Sequence, residues 1–205
     1  MNVQQIEKSY SSKFQQNFNG FFKLMFLSAK LQKSNPLLKN TPSKMDISSD
    51  DVQHLFESFE KYQLKYLLIG GMAGAFYGHT RTTQDIDIWI KDTPENRIAL
   101  IQSLKENLVE GAQYLINTQF VFGYTEVPFG KNGFSLDLGE QTKAFSQADF
   151  DACYAKAITG DLDGTPIKVI LLDDLIHEKK ATARPKDVGD LVELEKIQSA
   201  LFPEK

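Results

Sequence analysis

From residue 84 the chain runs Gln84-Asp85-Ile86-Asp87-Ile88-Trp89-Ile90, alternating acid and apolar side chains. A period of two belongs to a half-buried strand, whose positions i and i+2 share a face. Ile86, Ile88 and Ile90 therefore point to a core, and Asp85 and Asp87 point together to the other side, about 7 Å apart. Like charges this close repel unless something positive lies between them. A divalent cation relieves that repulsion, and hard oxygen donors favour magnesium. A solvated acidic strand face is the plainer alternative at this point.

The residues upstream narrow the choice. Lys65-Tyr66-Leu67-Leu68-Ile69 is a short apolar strand that stops at Gly70-Gly71, and Met72 to Gly78 continues with small residues of helical character. A strand that turns into a helix through two glycines lets backbone N–H groups approach an anion. Thirteen residues separate Gly71 from Asp85, enough for a short helix and a return to a neighbouring strand. An anion cradle beside an acid pair suits nucleotide chemistry. A tight turn explains the glycines if they are taken alone.

Gly70-Gly71, the intervening helix and Arg81-Thr82-Thr83-Gln84-Asp85-Ile86-Asp87-Ile88 resemble the signature of the nucleotidyltransferase superfamily related to DNA polymerase beta. A second block comprises Leu175-Ile176-His177-Glu178-Lys179, Arg184-Pro185-Lys186-Asp187 and Asp190-Leu191. It resembles the C-terminal helical element of small bacterial nucleotidyltransferase-like proteins near abortive-infection and toxin–antitoxin families. The likeness spans roughly residues 45–201.

The resemblance implies an α+β fold, with a mixed-sheet nucleotidyltransferase core, flanking helices and C-terminal helices. It further implies Mg²⁺-dependent transfer of a nucleoside monophosphate from an NTP, foremost ATP, to an acceptor hydroxyl with release of pyrophosphate. The acceptor class stays open: a small molecule, a protein or an RNA end. Asp85, Asp87 and Asp137 take the catalytic, metal-holding positions, and Gly70, Gly71, Arg81, Lys179, Arg184 and Lys186 the nucleotide-binding ones. A non-catalytic binding protein of the same fold, or an antitoxin-like member of a toxin–antitoxin pair, is the other reading.

Asp137 also follows from local pattern. In Phe134-Ser135-Leu136-Asp137-Leu138 it alternates with two apolar residues and projects opposite to them. The resemblance gives it the role of helping to hold the metal and favouring deprotonation of the acceptor hydroxyl. Glu126 on the facing strand is the next candidate, and Glu140 lies just beyond the strand. Lys179 and Lys186 could instead serve helix ends, where lysines complement the helix dipole.

Other chemistries find no support. His54, His79 and His177 lack zinc-site spacing, and neither a Gly-x-Ser-x-Gly elbow nor a Walker lysine is present. The single cysteine, Cys153, allows no internal disulfide, fits a reducing cytosol and reads as a small buried hydrophobe.

Around the motifs the pattern is α+β. Residues 48–62 carry Val52, Leu55, Phe56, Phe59 and Tyr62 at helical spacing, and 94–108 carry Ile98, Ile101, Leu104 and Leu108. Strands are expected over 65–69, 85–90, 114–127, 134–138 and 167–171, with a turn over 128–133. Two helices close the chain, the second opened near Pro185.

Charge divides the chain in two. Residues 1–44 hold seven lysines and one acid, leaving 16 basic and 26 acidic residues in 45–205. An acidic body argues against a broad nucleic-acid face, which relies on Lys and Arg. The apolar stretch Phe18 to Leu31 is broken by Lys23 and Lys30 and is too short to span a membrane. Asn35-Pro36 and Thr41-Pro42-Ser43 read as linker. Residues 1–44 are thus expected to be a basic, flexible extension of a domain at 45–205. A chain that starts at Met45 should melt within a few degrees of the full-length protein, as when little buried area is lost. Thermal unfolding of both chains checks this, and a large drop would show that the extension docks on the domain.

Overall fold

Tyr66-Leu67-Leu68, the apolar run before Gly70, lies near the middle of a mixed β-sheet in the computed structural model, which describes residues 50–79, 85–130 and 134–201. The elements are α1 (Asp50–Lys61), β1 (Tyr66–Leu68), α2 (Gly70–Phe76), β2 (Asp85–Ile90), α3 (Pro94–Glu106) and a 3₁₀ segment (Ala112–Asn117). They continue with β3 (Glu126–Phe129), β4 (Phe134–Gly139), α4 (Phe150–Lys156), β5 (Ile158–Leu162), β6 (Thr165–Val169), α5 (Leu172–Thr182) and α6 (Pro185–Leu201). Among the described residues the sheet has six strands in the order β3-β4-β2-β1-β6-β5. β2–β4 and β1–β6 pair parallel, and the other neighbours pair antiparallel. This is the expected α+β class. Residues 1–44 and Arg81 lie outside the described residues.

The alternation in β2 holds for its isoleucines, all fully buried. Trp89 shares the face of the acids yet is buried too, because the chain after β4 covers that end of the sheet. Its ring stacks on Phe145 at 5.9 Å and meets Phe150 edge-on at 5.1 Å. Its indole N–H donates to the Glu140 carbonyl at 2.9 Å. One end of the acid-bearing face is therefore sealed and the other, at Asp85 and Asp87, stays open.

The other face is built by α1, whose Val52, Leu55, Phe56 and Phe59 are fully buried, and by α3. The expected inward stripe of α3 is only half right. Ile98 and Leu108 are 50% and 87% exposed, whereas Asn96, Leu100, Ile101, Ser103 and Leu104 are buried. The polar members hold core positions through hydrogen bonds. The Asn96 amide donates to the Lys65 and Lys91 carbonyls and its oxygen accepts from Lys65 N–H, while the Ser103 hydroxyl donates to the Ala99 and Ser58 carbonyls. A buried amide with its partners met costs little, so side-chain hydrophobicity misplaced this stripe.

Residues 114–127 are not one strand. They contain the 3₁₀ segment and an irregular path, and only β3 is strand. Arg97 diverts the backbone groups that a ladder would use: its guanidinium donates to the Leu115 and Thr118 carbonyls at 3.0 and 2.6 Å and pairs with Asp92. The same group lies 4.4 Å from the centre of the buried Phe120 ring. Pro128 and Phe129, expected in a turn, belong to β3, and residues 131–133 lie outside the described residues. The helix α4 and strand β5 were not anticipated. β5 and β6 are joined at Asp163 and Gly164, both at positive φ (51° and 91°), the geometry that Asp-Gly hairpins favour. The last strand ends at Val169, two residues before the expected boundary.

Arg97→Lys should destabilise the fold by about 1–3 kcal/mol, because one ammonium cannot replace a planar fork that serves two carbonyls and a carboxylate. Denaturant titration of the purified variant reads this directly, and unchanged stability would free the 112–120 segment from Arg97.

Candidate active-site cleft

A left-handed backbone at Gly70 (φ 66°) begins the site, because β1 has to turn into α2 directly beside β2. A side chain at Gly70 would overlap the Asp87 carboxylate, so glycine is required both by conformation and by space. The Ile69 N–H donates to the Asp87 carbonyl at 3.0 Å, and the Gly71 N–H reaches the Asp87 carboxylate. The glycine pair thus packs against the acid strand.

The parallel β2–β4 register sets Asp87 beside Asp137 and Asp85 beside Ser135. On the far side of β4, Glu126 of β3 stands opposite Asp137. Both Asp137 carboxylate oxygens accept from the Gly123 N–H, at 3.0 and 2.8 Å. Asp85, Asp87, Asp137 and Glu126 line one cleft of about 620 Å³ together with Gly70 and Gly71.

The electrostatics are those of crowded acids. Burial, and then the Asp85 and Asp137 charges, push the Asp87 carboxyl up to about 7, against the pull of the Gly71 amide and Arg184. Burial also raises Asp137, to about 6, with Glu126 and Asp85 adding repulsion and the Gly123 amide and Arg184 opposing it. The Arg184 charge thus reaches both acids.

The second sequence block forms the cleft's cationic side, at the α5–α6 junction. Arg184 donates from its backbone N–H, Nε and Nη2 to Asp187, at 3.1, 2.8 and 3.3 Å. The Asp187 side chain is fully buried. Lys179 lines the cleft, but its ammonium is buried and bonded to Asp190 at 2.6 Å, with Asp187 at 3.6 Å. His79 lies 3.5 Å from the other Asp190 oxygen. Lys186 also lines the cleft and is exposed.

Some contributors were not singled out from sequence. Glu178 takes the Lys143 and Ala144 N–H groups at 3.2 and 2.8 Å and draws residues 141–145 to the rim. Gly123 and Tyr124 stand in a stretch read as strand. Asp187 and Asp190, three residues apart on α6, carried a legible signal, because that spacing puts two acids on one helix face. Cys153 is buried, its thiol pushed up to about 11 mainly by burial.

The donor chemistry suits a magnesium ion: oxygen ligands whose mutual repulsion a cation would relieve. Among the described residues no three His, Cys, Asp or Glu side chains converge tightly enough to hold a metal by themselves. Magnesium does not need that, since it commonly takes one or two carboxylates and completes its shell with water and phosphate oxygens. Among the described residues no helix is long and apolar enough to cross a membrane.

No protein-family model matches the chain, and no curated protein does. Among solved structures, the chain is similar to the crystal structure of an antigenic nucleotidyltransferase-like protein from Paracoccidioides brasiliensis, with a TM-score of 0.48 and 17% identity over 72% of this chain and 78% of that one.

Because the folded pKa of Asp87 lies above that of an unfolded aspartate, the folded state holds a proton that the unfolded state has lost between about pH 4 and 7. Metal-free stability should therefore fall as pH rises through that window and level off above it. Asp87→Asn should remove much of the slope and raise metal-free stability at pH 8 by about 2 kcal/mol, allowing for solvent screening of a partly exposed group. Melting curves of both proteins in chelator at pH 4.5 and 8 measure it, and parallel curves would contradict the repulsion.

Proposed function

We propose that the protein is a Mg²⁺-dependent nucleotidyltransferase that moves a nucleoside monophosphate from an NTP, ATP foremost, to an acceptor hydroxyl and releases pyrophosphate. The observation that carries this reading is the meeting of Asp87 and Asp137 on neighbouring parallel strands, with Asp85 two residues away, in a cleft shared with Gly70, Gly71 and Arg184. A purely structural sheet gains nothing from burying mutually repelling acids.

Asp85, Asp87 and Asp137 are the residues that would hold the metal, which when bound neutralises charge on the triphosphate and the attacking oxygen. Arg184, with its orientation set by Asp187, offers positive charge to phosphate oxygens. Gly70 leaves room for a close approach to the acid strand. Asp137, held by the Gly123 amide, favours loss of the acceptor's hydroxyl proton to water. The acceptor oxygen then bonds to the α-phosphorus as the bond to the bridging oxygen breaks, and pyrophosphate leaves.

A non-catalytic binding protein that keeps the same fold, such as an antitoxin-like partner, is the second reading. It is favoured by one feature: the Gly71 amide and the Lys179 ammonium, both expected to serve phosphates, are engaged by Asp87 and by Asp190.

Three variants separate the readings. Asp85→Asn or Asp87→Asn should abolish Mg²⁺-dependent NTP binding while the fold survives, as seen by calorimetry and circular dichroism. Asp137→Ala should lower turnover more than nucleotide affinity, the pattern of an interaction made in the transition state. Pyrophosphate release across a panel of NTPs and acceptors supplies the rate. Unchanged Mg·NTP binding in both Asn variants would sink the proposal, and binding without any pyrophosphate release would favour the second reading.

A further inference from the structure

The cleft has two chemically different linings. Its cations come mostly from residues 179–186, with Lys143 at the rim, and its apolar surface comes largely from residues 120–124. Within the second stretch Phe120 is fully buried, whereas Tyr124 is 88% exposed. Single exposed aromatics are ordinary on protein surfaces, and Tyr114, at 76% exposure, is one that does not line the cleft. Tyr124 does line it.

The backbone under Tyr124 is held from several directions. The N–H groups of Tyr124 and Thr125 both donate to the Val121 carbonyl at 3.0 Å. The preceding residue, Gly123, donates to Asp137. Phe122 packs where Gly139 has no side chain, so closely that a Cβ there would overlap its ring. Arg97 covers the Phe120 ring. The Tyr124 phenol ring itself makes no hydrogen bond or ring contact among the described residues. A held turn thus presents one bare aromatic face at a cleft that also contains Arg184 and the acid cluster.

We propose that Tyr124 is a stacking platform for a nucleobase in this cleft, a reading that rests on the nucleotidyltransferase assignment above. A flat apolar ring is the complement of an exposed aromatic face, and such stacking tolerates any base. A mononucleotide fits better than a polynucleotide, because residues 45–205 carry ten more acids than bases, a balance that argues against a broad phosphate-binding face. The base could belong to the NTP or to an acceptor nucleoside, which share this chemistry.

Calorimetric titrations of the full chain, its Tyr124→Ala variant and its Tyr124→Phe variant distinguish the outcomes. The probes are Mg·ATP, Mg·tripolyphosphate, and adenosine added to protein saturated with Mg·tripolyphosphate. Tyr124→Ala should weaken Mg·ATP about tenfold and leave Mg·tripolyphosphate unchanged, and Tyr124→Phe should restore the loss. A loss confined to adenosine would keep the platform and assign the base to the acceptor. Equal affinities of the full chain and Tyr124→Ala for all three probes would overturn the inference, as would an equal loss for tripolyphosphate. If the unmodified protein bound neither Mg·ATP nor Mg·tripolyphosphate, the nucleotidyltransferase reading would fall and this inference with it.

Discussion

The parallel pairing of β2 with β4 is the constraint on which the rest of the structure depends. It sets Asp87 beside Asp137, and it does so through apolar pairs, Ile86 with Leu136 and Ile88 with Leu138, that are fully buried on the opposite face. A slip of one residue in either strand would turn those side chains toward the cleft and the acids toward the core. Burial of the isoleucines and leucines therefore does more than stabilise the sheet. It fixes the register that crowds the carboxylates, against their own repulsion.

That repulsion has to be balanced by neighbouring dipoles and charges. The Gly71 and Gly123 amides and the Arg184 guanidinium oppose it. Arg184 is in turn governed by a chain of buried ions: Asp187 grips it, Lys179 lies between Asp187 and Asp190, and His79 touches Asp190. Isolated buried charges are costly, but paired and hydrogen-bonded ones lock relative orientation. Here the locked elements are α5, α6 and the end of the α2 turn. The ion chain thus fixes the cationic side of the cleft relative to the strand that carries the acids.

The opposite rim depends on a different device. Residues 112–125 have little regular structure of their own, yet they are tied down by the Arg97 fork, the Glu140 carboxylate and the Asp137–Gly123 contact. An irregular segment held in this way can present side chains that a strand would have buried or turned aside. Tyr124 is placed by such a segment, and the cleft acquires an aromatic wall that no motif announces.

Residues whose partners are close in sequence, or whose burial follows a simple period, were legible before the fold was known. The alternation over residues 85–90 defined β2 to the residue, Gly70-Gly71 marked the turn into α2, and the period around Asp137 aimed it opposite to two core leucines. The Asp163-Gly164 hairpin carries an equally plain local signal. What local pattern could not show is which distant groups compete for the same polar atoms. Arg97 took the carbonyls of an apparent strand, Asn96 and Ser103 took core positions through hydrogen bonds, and Lys179 was drawn into buried carboxylates. The sequence by itself determined the strands, the acid pair and the glycine turn, because dihedral preference and periodicity act over a few residues. Only the tertiary structure decided which carboxylates meet, which cations stay in the cleft and where Tyr124 stands, because charge pairing and desolvation act between groups far apart in the chain.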